Sequence, residues 1–309
     1  MCSSDLSFIA VMFRAFYVST TNTKILTANS VVMVLTNVVL NYILIFGKFG
    51  FPALGIAGAA IASSISEAVS VLFFVIYTWK KIDYKKYGLF RFTRVDFRML
   101  GQILSVSIWV MIQHGIAFGG WFIFFIAMEH LGERPLAITN VVRSISSFLF
   151  MFVNAFASTN SSLVSNLIGA GESDRVLPLC RRMIGLCYAF VLPIGILIAM
   201  FPSTVLRIYT DNPDLIASSI SSLWVMLSSY LFAVPGFIYF FSVSGTGNTR
   251  RALEIDMASI FVYVLYILYV AVWLRADVAV CWTTEYVYNI MILSSFFYLW
   301  KGNWRNKKI

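Results

Sequence analysis

The sequence predicts an all-α integral membrane protein, and three observations support this class. Of the 309 residues, 60% are hydrophobic and only 12% are charged, whereas a soluble domain carries about 25% charged residues. The apolar residues are gathered in runs of about 20 or more, the length that a helix needs to cross a bilayer. These runs also lack the strict alternation of polar and apolar positions that is typical of membrane β-barrel strands.

Eight of the apolar runs are long enough for a full span, and a ninth is partial. Helices are the expected form because they satisfy every backbone polar group within the segment. The partial run covers roughly residues 6–18 and contains Arg14. The full runs cover roughly residues 25–46, 53–78, 100–128, 135–157, 183–201, 215–243, 252–274 and 278–299.

Basic residues alternate between rich and poor connections along the chain. One set of connections, which includes residues 80–98 and the tail 301–309, holds 17 of the 23 lysines and arginines, and the other set holds 4. Because cytoplasmic loops are enriched in these residues, the rich side is predicted to be cytoplasmic, and so is the C-terminus. The net charge of +9 then reflects topology and attraction to membrane lipids rather than nucleic-acid binding.

Two short segments resemble each other at an offset of 226 residues. The sequence TTNTK at 20–24 corresponds to TGNTR at 246–250, and each lies in a predicted cytoplasmic connection. Parallel repeats of this kind are a known plan of transporters. If the repeat covers both halves, the first half is expected to begin roughly 125 residues before Met1, so we expect the chain to be truncated at its N-terminus.

Five motifs resemble those of the multidrug and toxic compound extrusion (MATE) family. Two of them, NVVLNYILIFG at 37–47 and FPALGIAGAAIA at 51–62, resemble the family signature. The other three are EHLGERPLA at 129–137, LVSNLIGAGE at 163–172 and SGTGNT at 244–249, which resemble connections in the family's second lobe.

The resemblance implies a fold of twelve helices in two six-helix lobes around a V-shaped cavity, with the first lobe incomplete here. On that plan residues 1–79 hold the end of helix 4 and helices 5–6. Residues 80–99 form a basic cytoplasmic linker, 100–300 form helices 7–12, and 301–309 form a basic tail.

The resemblance also implies a function. The expected activity is antiport across the inner (plasma) membrane, in which Na⁺ or H⁺ enters while an organic cation or drug leaves. It implies a monomer with small cationic substrates, no cofactor besides the coupling ion, and no enzymatic activity.

Five residues are candidates for cation coupling. Ionisable groups at membrane depth are energetically costly, so they indicate function. Glu67 and Glu285 lie within predicted spans, as does His114, which follows Gln113 and can carry a proton near neutral pH. Glu129 lies at the predicted outer mouth.

A polar face of the span at 135–157 is predicted to line the cavity. Arg143, Ser147 and Asn154 share one side of this helix, and Asn140 lies one turn before them. Arg143 stays charged, so it is expected to pair with a carboxylate, with Glu129 as a candidate.

Two prolines within spans, Pro193 and Pro235, are candidate hinges, because proline removes a helical hydrogen bond. The four cysteines show no metal-binding spacing, so no metal site is predicted.

The sequence departs from the family pattern in its acids. Many members place an acid on the seventh or tenth helix, but the runs 100–128 and 215–243 contain none. Glu254 and Asp256 are expected near the cytoplasmic end of their span, within reach of water. A Na⁺ site in the second lobe is therefore doubtful on the sequence alone.

Three other functions are weighed. A related flippase for lipid-linked oligosaccharides would have a more strongly charged cavity. A membrane-embedded enzyme would need a cluster of catalytic residues, and the chain has only 2 histidines. An incomplete first lobe would leave an inactive fragment.

The predicted orientation is tested by cysteine labelling in a variant without native cysteines. Lys86→Cys should react with a membrane-impermeant maleimide only after permeabilisation, because its loop is on the basic side. Lys48→Cys should react in intact cells. Labelling of Lys86→Cys in intact cells would contradict the predicted orientation.

Overall fold

The computed structural model describes residues 3–20, 22–82, 96–302 and 304. All regular structure in these ranges is helical, and seven helices are long and apolar enough to cross a membrane. This confirms the predicted all-α membrane class. The chain divides into two units, Met1–Val95 and Asp96–Ile309. Much of the predicted linker and tail, residues 83–95, 303 and 305–309, lies outside the described residues.

The first unit contains three helices, α1 (Ser3–Ser19), α2 (Lys24–Phe46) and α3 (Ile56–Lys81). The α2 helix ends at Gly47, whose φ of 65° is left-handed and suits glycine. Residues 49–52, with the sequence FGFP, lie in the turn that follows, so the chain reverses before α3.

Polar pairs and aromatic rings hold the first unit together. The Tyr17 ring stacks on Phe74 with 5.7 Å between centroids, and the Tyr17 hydroxyl forms a 2.6 Å hydrogen bond with Thr78. Asn29 donates to Ser70 at 2.8 Å. These hydrogen bonds join α1 and α2 to α3 through side chains that are buried.

The outer surface of α2 is apolar. Val34, Leu35 and Val38 are each about 58–59% exposed. In water such an apolar surface would promote aggregation, whereas lipid hydrocarbon solvates it well. The exposure pattern therefore agrees with a lipid-facing helix.

The second unit contains the remaining helices, with a 3₁₀ turn at Ser173–Arg175 and a π-helical segment at Leu268–Trp273. The helices are α4 (Phe97–Leu131), α5 (Glu133–Gly169), α6 (Val176–Met200), α7 (Pro202–Leu206), α8 (Pro213–Gly245), α9 (Thr249–Ile267), α10 (Val278–Trp282), α11 (Thr284–Ile292) and α12 (Ser295–Lys301).

The α8 helix forms the centre of the second unit. Within its most apolar 18-residue window, 56% of residues are buried, against 22% for the helix that includes α6. Two glycines permit this packing. A Cβ at Gly236 would lie 3.1 Å from the Asn289 carbonyl oxygen, and one at Gly245 would lie 2.6 Å from that of Ser161. Neighbouring helices can thus approach its backbone closely.

The predicted end of the span at 135–157 is wrong by about three turns, because α5 continues to Gly169. The sequence turns polar after residue 157, which suggested a loop. Asn160 is nevertheless buried and donates to Ser242 of α8 at 2.7 Å, and Val164 is buried too. Packing against α8 therefore keeps this polar segment helical.

The predicted span at 278–299 is divided into α10, α11 and α12. Near its first break the Thr283 and Thr284 hydroxyls donate to the carbonyls of Val280 and Cys281, each at 2.6 Å. Such bonds compete with the backbone pattern of an α-helix. The prediction of one uninterrupted helix is therefore corrected.

Pro193 and Pro235 both lie inside continuous helices, α6 and α8. Whether they act as hinges stays a prediction. The irregular backbone of the second unit lies instead at residues 268–273 and at the breaks around α11.

The close contact between α2 and α3 is tested at Gly58. A Cβ there would lie 2.5 Å from the Leu44 carbonyl oxygen, so Gly58→Ala should lower the free energy of unfolding by about 1–3 kcal/mol through overpacking. Thermal unfolding in detergent measures the change. The control, Gly185→Ala in α6, meets nothing within 4 Å and should be neutral or stabilising. Equal effects at both sites would contradict the contact.

Candidate functional site

Two adjacent cavities lie within the second unit, among α4, α5, α8, α9 and α11. The smaller, termed the Asp256 cavity, has a volume of about 360 Å³. The larger, termed the Arg143 cavity, has a volume of about 620 Å³. They share the side chains of Phe118, Trp121, Phe150, Asn154, Phe237 and Tyr288.

Asp256 of α9 is the only charged residue that is fully buried among those whose burial the structure describes. The Tyr288 hydroxyl of α11 donates to its Oδ1 at 2.9 Å. The Gln113 side chain of α4 also lies in hydrogen-bonding range of this carboxyl group. None of the ion pairs in the described part of the chain includes Asp256. The group is thus held by neutral donors.

His114 lines the same cavity beside Gln113. Its Nδ1 lies 2.8 Å from the Val110 carbonyl oxygen. Since a carbonyl only accepts, Nδ1 carries the proton, and Nε2 of the neutral ring remains able to bind another. The cavity therefore combines a buried carboxyl group with an imidazole that can take up a proton.

Glu285 of α11 is half-buried in the wall of the Arg143 cavity. The Tyr263 hydroxyl of α9 lies 3.5 Å from its Oε1, at the limit of a hydrogen bond. Each of α9 and α11 thus contributes one acid and one tyrosine, and each tyrosine points to the other helix's acid. The Tyr263 and Tyr288 rings meet edge to face, with 5.9 Å between centroids.

Arg143 lies over the Phe125 ring, with its Cζ 4.6 Å from the centroid. It takes part in none of the ion pairs found among the described residues, so its expected pairing with a carboxylate is wrong. A guanidinium is weakly hydrated and stacks well on aromatic rings, which explains the contact. The Arg143 cavity holds both this cation and Glu285.

The predicted cavity-lining residues are placed unevenly. Arg143, Ser147 and Asn154 line the Arg143 cavity. Asn140 is exposed and is not among the lining residues of either cavity; its carbonyl accepts from Ser144 at 2.9 Å. Asn140 is on the same side of α5 as the other three residues, but it lies nearer the helix start, about 10 Å from Glu133.

The five coupling candidates are also separated. Gln113 and His114 line the Asp256 cavity, and Glu285 lines the Arg143 cavity. Glu129 is exposed at the end of α4 and lines neither. Glu67 lies on α3, in the first unit. Their roles in coupling stay predictions.

The sequence interpretation missed Asp256, Tyr263 and Tyr288. It placed Asp256 within reach of water, but the residue is only 1% exposed. It lies about 10 Å along α9 from the helix start, deep enough for its neighbours to cover it. The spacing of two of these residues could have indicated the site, since Asp256 and Tyr263 are two turns apart on one helix face.

Comparisons with known proteins match the part of the chain that contains the two cavities. The MatE family model matches residues 110–272. A probable multidrug resistance protein NorM of Thermotoga maritima is 28% identical over 239 residues, which are 76% of this chain and 50% of that protein. A NorM of Synechocystis is 32% identical over 58% of this chain and 39% of that protein. The chain spans about half the length of the curated relatives it matches first.

Solved structures share the fold. The Vibrio cholerae MATE transporter VcmN superimposes with a TM-score of 0.80 at 17% identity, over 98% of this chain and 69% of that one. An outward-facing multidrug resistance MATE transporter gives a TM-score of 0.78, also at 17% identity, over 89% of this chain and 61% of that one. At this identity the likeness shows the architecture alone.

The Tyr288–Asp256 contact is tested by a double-mutant cycle. Tyr288→Phe should lower the free energy of unfolding by about 1.5–3 kcal/mol, since the bond involves an acidic acceptor. The loss should be smaller when Asp256→Asn is already present. Unfolding in mixed micelles gives the values. Tyr266→Phe, which breaks a bond to Thr283 instead, should be unaffected by Asp256→Asn. Additive losses for Tyr288 and Asp256 would refute the coupling.

Proposed function

The chain belongs to the MatE family, and on that premise we propose that it exports organic cations or drugs by antiport. In this proposal a cation enters through the Asp256 cavity as the substrate leaves, by alternating access. The protein acts as a transporter rather than an enzyme and needs no cofactor besides the coupling ion. Its relatives include probable multidrug resistance proteins, which supports this assignment.

Asp256 is the observation on which the proposal rests. A buried acid that has no ion-pair partner among the described residues is energetically costly at membrane depth. Bound to a cation or a proton, the group loses its uncompensated charge. A site that gains stability by taking up a cation suits the coupling half of an antiport cycle.

The Arg143 cavity is the proposed substrate site. Its wall is rich in aromatic rings, and Glu285 adds one acid. Aromatic faces attract organic cations by about 0.5–2 kcal/mol each, and Glu285 adds a longer-range attraction. Tyr288 lines both cavities and donates a hydrogen bond to Asp256. In this proposal, a substrate that displaces Tyr288 in one cavity changes the hydrogen bonding of Asp256 in the other.

We infer that the coupling ion is H⁺. Hard cations bind best to cages of about six oxygen ligands, whereas Asp256 is the only carboxylate lining its cavity, beside two amides, two phenols and an imidazole. Gln113 Oε1 is buried and accepts no bond from a described residue. Because the Gln113 side chain lies in hydrogen-bonding range of Asp256, we propose that this oxygen accepts the proton of the neutral carboxyl group.

The remaining assignments follow the family plan. We place the protein in the inner (plasma) membrane as a monomer with its C-terminus in the cytoplasm. Residues 1–79 belong to a first lobe and 100–300 to a second, joined by the linker 80–99 and followed by the tail 301–309.

Dye accumulation in cells tests export. Cells that express the protein should retain less of a fluorescent organic cation than cells with an empty vector. Asp256→Asn should restore accumulation to the vector level, since the coupling group is lost. Asp211→Asn, the same change in an exposed loop, should export normally. Equal accumulation in all cells, with membrane insertion verified, would contradict the function.

Inside-out vesicles identify the ion in the same variants. With an imposed pH gradient, the dye should release protons in the wild type but not in Asp256→Asn or His114→Ala. A Na⁺ gradient alone should drive no dye movement. Dye transport driven by Na⁺ alone would reject proton coupling while leaving antiport intact.

A further inference from the structure

A separate polar pocket lies where the N-terminal end of α9 meets α12. Its volume is about 610 Å³, and it shares no lining residue with the two cavities described above. We propose that it binds the phosphate of an anionic phospholipid. The residues that carry this proposal are Asn248, Arg250, Arg251, Glu254, Tyr298 and Lys301.

The pocket has an excess of positive charge. Three of its lining side chains, Arg250, Arg251 and Lys301, are cationic, and Glu254 is the only acid among them. Glu254 is shared, with Arg250 Nε at 3.5 Å and Arg251 Nη1 at 2.5 Å. One carboxylate cannot neutralise three cations, so the pocket retains a net charge of +2. Such a cluster attracts a phosphate group.

The N-terminal end of α9 borders the pocket. Asn248 is the N-cap residue of α9, but its side chain accepts no hydrogen bond from the helix. The Asn248 amide instead donates to the Tyr298 hydroxyl at 2.7 Å. The Arg251 and Ala252 N–H groups donate to the Asn248 carbonyl oxygen. No side chain caps the N–H groups of Thr249 and Arg250, which begin this 19-residue helix. Helix N-termini with such groups bind anions, and here the basic side chains surround this one.

The neighbouring surface indicates a lipid rather than free phosphate. On α9, Met257, Phe261 and Leu265 follow Glu254 on one helix face, and they are 48%, 65% and 53% exposed. This apolar stripe is about 12 Å long and leads away from the basic pocket. Phe297 of α12, also exposed, lines the pocket itself. A phosphate held by the arginines would thus have its acyl chain on an apolar track.

Arg250 is positioned for the interface between water and hydrocarbon. Its guanidinium lies over the Trp109 ring of α4, with 5.6 Å between Cζ and the centroid. Tryptophan is enriched at the level of lipid headgroups. This contact thus combines a cation and an indole ring, the two side chains that favour the headgroup region.

Native mass spectrometry of the whole chain in neutral detergent tests the proposal. Phosphatidylglycerol should bind at least about tenfold more tightly than zwitterionic phosphatidylcholine, given about fivefold for each basic residue near the headgroup. The combined variant Arg250→Gln, Arg251→Gln and Lys301→Gln should lose this preference. Arg175→Gln, which removes an exposed cation paired with Glu172 elsewhere, should keep it.

A gain of affinity gives a second test that misfolding cannot imitate. Glu254→Gln removes the only acid among the residues lining the pocket, so phosphatidylglycerol should bind about fivefold more tightly. Inorganic phosphate, added as a competitor at millimolar concentration, should not displace the lipid. Equal binding of both lipids, unchanged or weaker binding by Glu254→Gln, or displacement by inorganic phosphate would each overturn the lipid site.

Discussion

The second unit is organised around an acid that is buried without an ion-pair partner in the described part of the chain. Transfer of such a group from water costs several kcal/mol unless neighbours supply hydrogen bonds. The Tyr288 hydroxyl of α11 donates one to Asp256 of α9, and the Gln113 side chain of α4 lies in hydrogen-bonding range. The relative positions of α4, α9 and α11 therefore depend on one carboxyl group. A change in its charge alters the interaction that holds three helices in place.

Other buried polar side chains in the chain form hydrogen bonds with neutral partners. Asn29 pairs with Ser70, and Asn160 pairs with Ser242. These are neutral partners that share a hydrogen bond across two helices, so they contribute to packing and have no charge to exchange. Asp256 differs because its charge is balanced only when a cation or proton binds. This contrast separates structural polar contacts from the proposed coupling site.

The sequence predicted the membrane class, the family and most spans, because long apolar runs and local motifs determine them. It was less successful where a polar segment is held by tertiary packing. The α5 helix continues through Asn160 because α8 covers that residue. The sequence also identified Gln113, His114 and Glu285, which line the cavities, as candidates for cation coupling. It misplaced Asp256 because hydropathy reports depth along one helix, whereas burial depends on the helices that surround it.

The amino-acid sequence by itself determined that the chain forms long apolar helices, where the basic connections lie, and which motifs it shares with its family. These properties depend on residues that are neighbours along the chain. Only the tertiary structure decided that Tyr263 reaches Glu285, that Tyr288 reaches Asp256, and that the end of α9 meets α12 in a basic pocket. Such meetings depend on how separate helices pack, and helical periodicity alone does not specify which faces come together.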